Sequence, residues 1–187
     1  MTEDKILTRV ALFAADCGKW DLERSLGELR ALAESAEMEV VLEITQKRDA
    51  PDTALYLGEG RLADARTLCE TNEVEYCIFD DELTGTQIKN LEKALELPVL
   101  DRTLLILDIF AARAVTNEGK LQTELATLQY RLPRLSGLGA SLSRQGGGGA
   151  GGGGARRGAG ESKLEYDRRH LRRRIDLIRE KLTEIEQ

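Results

Sequence analysis

Few residues of this chain are of types that make or break bonds, and their spacing forms no catalytic arrangement. The only histidine, His170, follows Arg168-Arg169, with no nucleophile or acid adjacent to it. Cys17, Cys69 and Cys77 are an odd number with no CxxC or metal-ligand spacing. They are expected to be small core or near-surface residues of a reducing cytosol. The carboxylates Asp80-Asp81-Glu82 fall at the end of an expected strand, where acid–base groups can gather. A solvated turn with helix capping is the plainer reading. No catalytic residue and no metal site is expected.

Glycine offers a second kind of chemistry, the cradling of phosphates by backbone N–H groups. Gly58-Glu59-Gly60-Arg61 lies between an expected strand and an expected helix, and helix N-termini attract anions. Gly58, Gly60 and Arg61 are therefore nucleotide-binding candidates, although Glu59 carries the wrong charge and a structural βα turn is the default. In residues 146–160, ten of the fifteen are glycine, too many for regular structure without a partner. They are Gly146, Gly147, Gly148, Gly149, Gly151, Gly152, Gly153, Gly154, Gly158 and Gly160, and all ten are assigned to one glycine-rich loop. A nucleotide loop needs G-x-x-x-x-G-K-[ST] between a strand and a helix. Gly158-Ala159-Gly160-Glu161-Ser162-Lys163 puts glutamate where the lysine belongs, so no site for GTP hydrolysis exists in this chain.

Arginine carries the strongest signal. Arg131, Arg134, Arg144, Arg156, Arg157, Lys163, Arg168, Arg169, Arg172, Arg173 and Arg174 cluster around the glycine segment, opposed only by Glu161, Glu165 and Asp167. All but Arg174 are taken as candidate RNA-binding residues. Arginine donates several hydrogen bonds in one plane and stacks on bases, which suits folded RNA. Residues 1–100 hold 11 Lys/Arg against 22 Asp/Glu, whereas residues 101–187 hold 16 against 11. A polyanion contact is thus expected in the second half.

These residues need elements to hold them. Strands are expected at 6–14, 39–47 and 75–80, and at Pro98 to Asp101, with a short apolar segment at 54–57. Helices are expected at 21–36, from Gly60 to about Thr71, and from Gly85 to Leu95 with Thr84 as N-cap. Strands alternating with single helices predict a small parallel β-sheet with crossover helices over residues 1–101. From Arg102 the pattern turns helical. Leu121, Leu125, Leu128, Leu132 and Leu135 form one seam, and Leu164, Leu171, Ile175, Ile178, Leu182 and Ile185 another. Residues 102–187 are therefore expected to form a long antiparallel two-helix, coiled-coil-like hairpin around a glycine-rich loop at about 136–160, unordered when free. The polar start, Met1-Thr2-Glu3-Asp4-Lys5, does not read as a targeting segment, and no apolar run is long enough to span a membrane.

Several blocks strongly resemble one known family. They are Leu100-Asp101-Arg102-Thr103-Leu104-Leu105-Ile106-Leu107-Asp108-Ile109-Phe110-Ala111, Glu118 to Ala126, Arg131-Leu132-Pro133-Arg134-Leu135, Leu142-Ser143-Arg144 and Gly160 to Arg169. Asp81 to Glu92 looks like the same family's strand-to-helix segment. Over roughly residues 55–185 the chain resembles the N-terminal part of HflX-family ribosome-associated GTPases. The resemblance implies a cytoplasmic protein that binds the large ribosomal subunit and takes part in ribosome splitting. It implies that the loop of 136–160 reaches the peptidyl-transferase region, with Arg144, Arg156 and Arg157 as the foremost RNA contacts. GTP and Mg²⁺ would belong to a following GTPase domain that is a partner of this module. The chain departs from the family in its extra glycines, in Ala159 where the family has proline, and in Gly58-Glu59-Gly60-Arg61 where it often has Gly-Lys-Gly-Lys. A monomer is expected. An N-terminal ATP- or GTP-binding domain and a coiled-coil protein-interaction module are the alternatives.

Overall fold

The computed structural model describes residues 7–18, 21–135 and 157–186. Four parallel strands form one sheet in the order β2-β1-β3-β4: β1 Thr8–Asp16, β2 Met38–Lys47, β3 Tyr76–Phe79 and β4 Val99–Asp101. Crossovers are α1 Leu22–Ser35, α2 Glu59–Thr71 and α3 Gly85–Leu95; α4 Arg102–Arg113 follows β4 directly. Side chains alternate across the strands, so each face needs its own cover. Val10, Leu12, Ala14 and Ile78 pack under Leu26, Leu29 and Ala33 of α1 and under Leu105 and Ile109 of α4. Ala11, Phe13, Ile44, Cys77, Phe79 and Val99 pack under Leu62, Ala65 and Cys69 of α2 and Ile88, Leu91 and Leu95 of α3. The result is a three-layer, doubly wound arrangement, the expected α/β class. Its core runs past Asp101 into α4.

Local chemistry fixes most of the boundaries. Thr84 accepts from Gln87 N, and the Gln87 side chain accepts from Thr84 N, a reciprocal capping box that starts α3 where the sequence places it. Asp21, Asp101 and Thr116 cap α1, α4 and the next helix by a single bond each, accepting from Arg24 N, Leu104 N and Gly119 N. The β1–β2 register slips once, with Val10 opposite Val40 and Ala11 opposite Leu42, so Val41 is an extra residue on β2.

Residues 54–57 do not form a strand, contrary to the sequence expectation. Asp52 and Tyr56 close a tight turn through paired backbone hydrogen bonds of 3.0 and 2.9 Å. The Asp52 carboxylate accepts from Ala54 N and Leu55 N, which holds its pKa below the usual value. Tyr56 sits at φ +64°, a left-handed conformation unusual for a bulky residue. Its buried ring and hydroxyl hold it there, as described below. Apolar composition in this segment therefore signals a packed turn.

The helical second region begins with α5, Asn117–Arg131, after a break at 114–116, and ends in a 3₁₀ turn, Leu132–Arg134. The last helix, α6, runs Arg157–Glu186. The expected loop at 136–160 is corrected at its far end: Gly158 and Gly160 lie in the first turn of α6. The helix-favouring Glu161, Lys163 and Leu164 that follow offset a cost of about 1 kcal/mol per glycine. The other eight loop glycines, Gly146, Gly147, Gly148, Gly149, Gly151, Gly152, Gly153 and Gly154, lie outside the described residues, as do Arg144 and Arg156. Helix α5 packs on α4 and on α6, and the 3₁₀ turn packs on α6 and α3.

Cys69 and Cys77 are fully buried side by side between α2 and β3, and the Cys77 thiol is pushed up by Cys69 and by burial. This is a core environment. Among the described residues no group of histidine, cysteine and carboxylate side chains has metal-site geometry.

Candidate nucleic-acid interface

The second region is anchored to the sheet by one fully buried carboxylate. Asp101 ends β4 and caps α4, accepting from Leu104 N at 2.9 Å. Its second oxygen accepts from Leu83 N at 3.0 Å and from the Tyr130 hydroxyl of α5 at 2.5 Å. Burial and the Asp101 hydrogen bond drive the Tyr130 pKa well above the phenol range. Arg134 closes the joint. It donates Nε to Leu83 O and Nη1 to Tyr130 O, and its guanidinium lies 3.7 Å from the Tyr130 ring centroid. Glu82 adds an ion pair at 3.6 Å.

This geometry sets the candidate arginines apart from one another. Arg134 is 18% exposed and Arg131 is 20% exposed. Arg131 lies 4.0 Å from Asp108, whose carboxyl is raised by burial and drawn back by that cation. Arg134 is spent within the fold, whereas Arg131 is half-buried with its Nε unpartnered among the described residues. On α6, Arg174 pairs in bidentate fashion with Glu124 of α5 at 2.7 and 2.8 Å, and Arg168 lies 4.0 Å from Glu165. Glu124 also raises the Arg174 pKa by accepting these bonds. Arg169, Arg172 and Arg173 are exposed and pair with no carboxylate among the described residues, and Lys163 is likewise exposed. The backbone of Arg157 starts α6. Such cations suit a polyanion, because association with phosphates releases counterions.

The carboxylates at the strand ends make a different site. In the order β2-β1-β3-β4 the chain reverses direction between β1 and β3, the position where doubly wound sheets open a crevice. A cavity of about 450 Å³ lies there, lined by Asp16, Ser25, Asp49, Asp80, Asp81 and Arg102 among others. Arg102 forms an ion pair with Asp80 and donates Nη2 to Ser25 O at 2.9 Å. Ser25 Oγ donates to Asp80 at 2.6 Å. Tyr56 donates its hydroxyl to Asp81 at 2.6 Å and accepts from Ala15 N at 3.2 Å, with its pKa strongly raised by burial. Four aspartates around one arginine oppose a polyphosphate, so the crevice does not fit GTP.

The Gly58 turn is likewise occupied from within. Gly58 caps α2 and donates its N–H to Gln46 Oε1 at 2.7 Å, while Arg61 Nε donates to Thr45 O at 3.0 Å. Gly60 lies in the first turn of α2 with open space where a side chain would be. The sequence could not reveal these partners, which lie 12 and 16 residues upstream.

Residues 23–111 match the family described as GTP-binding GTPase N-terminal, and residues 113–187 match GTP-binding GTPase Middle Region. The chain is 53% identical over 164 residues to the GTPase HflX of Caldanaerobacter subterraneus, covering 88% of this chain and 37% of that protein. It is 42% identical over 166 residues to GTPase HflX of Escherichia coli, covering 89% and 38%. The chain belongs to the HflX family. It spans less than half the length of these HflX relatives, and carries the family's N-terminal and middle regions. The family division at residue 112 falls in the last turn of α4, just beyond Ile109, the last α4 residue packed under the sheet. The fold is shared with a crystal structure titled SsGBP and GDP complex, at a TM-score of 0.69 and 24% identity, covering 96% of this chain and 44% of that one. A GTP-binding protein from Sulfolobus solfataricus in complex with GDP gives a TM-score of 0.64 at the same identity, covering 96% and 46%. Among the described residues no helix is long and apolar enough to cross a membrane.

Proposed function

We propose that this chain is the ribosome-binding module of an HflX-type GTP-binding protein, acting on large-subunit ribosomal RNA in the course of ribosome splitting. The observation that carries the reading is the exposed arginine set Arg169, Arg172 and Arg173 on α6, which pairs with no carboxylate among the described residues, within a family of GTPases. In this reading α5 and α6 form an antiparallel hairpin. Their packing, the Glu124–Arg174 pair and the contact of the 3₁₀ turn with α6 support that geometry. The segment between them, with Arg144, Arg156 and Arg157, is carried into an RNA crevice towards the peptidyl-transferase region. The glycines from Gly146 to Gly154 keep that segment slim enough to enter. The module acts by binding and displacement in the cytoplasm, as a monomer. GTP and Mg²⁺ are bound by a further GTPase domain; the sequence of this chain carries no G-x-x-x-x-G-K-[ST] motif, and the crevice at the strand ends is lined by four aspartates.

Co-sedimentation with purified large ribosomal subunits across a salt series tests this. Binding should weaken steeply with salt, and replacing Arg144, Arg156 and Arg157 by alanine should flatten the slope by roughly 2. Salt-insensitive binding, or binding indifferent to these arginines, refutes the placement of the contact.

A further inference from the structure

One feature of α6 is not explained by charge. Tyr166 is 63% exposed, and its ring lies 6.4 Å from that of the exposed His170, with the two planes within 12° of parallel. Residues 166, 169, 170 and 173 step by three, one and three, so they share one side of the helix. Ile175 and Ile178, which are buried, point to the opposite side. The two rings are thus held away from the core, with Arg169 and Arg173 beside them. The nearby acids are Glu165, which lies against Arg168, and Asp167. A tyrosine left in water on a helix gains little from the protein itself. Beside unpaired cations, two near-parallel aromatic faces have the composition of a platform for unstacked bases: arginine takes the phosphates and the rings take the base faces.

We propose that Tyr166 and His170 form a base-stacking platform on α6 that receives single-stranded nucleotides of the RNA held by Arg169 and Arg173. This rests on the RNA-binding reading above and adds a second, uncharged contribution to it. The occupant is RNA rather than protein because cations predominate beside the rings: Arg169 and Arg173 stand against Asp167 alone, Glu165 lying against Arg168.

The two contributions separate in a salt series, because stacking releases no counterions. The chain, a Tyr166→Ala/His170→Ala variant, a Tyr166→Phe/His170→Phe variant and an Arg169→Ala/Arg173→Ala variant are each titrated with large ribosomal subunits and with protein-free large-subunit RNA. All four should keep the same helical circular dichroism, since the altered residues are exposed and alanine favours helix. Loss of the rings should weaken binding about 10- to 100-fold at every salt concentration with an unchanged slope. The phenylalanine variant should stay within about three-fold of the parent, and the arginine variant should lose slope. Ring removal without effect, with the arginine variant still weakened, overturns the platform and leaves the RNA reading standing. A ring effect on intact subunits but not on protein-free RNA assigns the face to a protein and also overturns it. Failure of the parent chain to bind either RNA form, or indifference to all three variants, overturns both readings.

Discussion

Tyr130 donates its hydroxyl to Asp101 across 2.5 Å, tying the first helix of the second region to the last strand of the sheet. The carboxylate it meets is fully buried and also accepts from the backbone on both sides of the junction, at Leu83 and Leu104. The placement of α5 thus depends on a polar contact rather than on apolar packing alone; no α5 side chain is fully buried.

Removing that hydroxyl should loosen the joint selectively. Tyr130→Phe should cost about 1.5–3 kcal/mol, a net hydrogen bond to a carboxylate. Asp101→Asn should cost more, since its amide would present a donor to groups that are themselves donors. Thermal unfolding gives the stability change. Hydrogen exchange should quicken at Leu83 and through the last turn of α5 in Tyr130→Phe, with β1 unchanged. Equal quickening throughout would mean the joint has no local role.

The raised Tyr56 and Tyr130 predict that these two phenols ionise late. Tyr76 and Tyr166 complete the four tyrosines. For a group whose folded pKa is raised, the stabilisation is intact below the unfolded value of about 10 and is lost as pH climbs above it. Absorbance at 295 nm should therefore show Tyr56 and Tyr130 ionising only together with unfolding. Four phenols titrating independently of unfolding would contradict the buried geometry.

Asp52 gives the opposite sign. Its lowered pKa, due first to the Leu55 and then to the Ala54 backbone bonds, contributes stability above the usual aspartate value of about 3.9. That contribution is lost as pH falls through the folded pKa. Asp52→Asn should therefore narrow its deficit to the parent on acidification, checked by urea unfolding at pH 7 and pH 3. A constant gap would show that the carboxylate charge is immaterial to the turn.

Glycine substitutions distinguish a structural turn from a phosphate cradle. A Cβ at Gly27 or Gly60 would meet nothing within 4 Å, and both lie in helices. Gly27→Ala should stabilise by roughly 0.5–1 kcal/mol, and Gly60→Ala, in a first turn, by less. At Gly58 a Cβ would press on the ends of Gln46 and Arg48 at 3.1 and 3.2 Å, which can swing aside. Gly58→Ala should be near neutral in thermal melts. A nucleotide that raises the melting temperature of the parent but not of the Gly58 and Gly60 variants would reinstate the cradle.

The α/β half was legible because its signals are local. Thr84 and Gln87 announce α3 three residues apart, and alternation marks β1 and β2. The turn at Asp52–Tyr56 was only half legible: Asp52, which accepts from Ala54 N and Leu55 N, is a local turn signal, but the partner that receives the Tyr56 hydroxyl, Asp81, lies 25 residues away. The break before α5 could have been found: Thr116 and Glu118 are an N-cap and a first-turn acid. Charge counting located the basic segment and left out Arg174, but it did not separate Arg131 and Arg134 from the exposed arginines. Arg134 faces Leu83, 51 residues back, and Arg174 faces Glu124, 50 residues back. Only the fold separates Arg134 from Arg169, Arg172 and Arg173. Tyr166 and His170 stood four apart in plain view, opposite the seam of Leu171, Ile175 and Ile178, yet only the fold brought their rings near parallel.

The extra residue Val41 has a bearing on how the protein behaves when crowded. Strand β2 is ten residues long and stands at the sheet's edge, a ready template on which a second chain could zip. The slip beside Val41 breaks the even run of outward N–H and C=O groups midway and adds local twist. Glu39 and Glu43 flank it, each tethered to an arginine, Arg9 and Arg30. An approaching strand thus meets an interrupted hydrogen-bonding rail with a carboxylate on either side, and would have to cross those charges without continuous pairing in return.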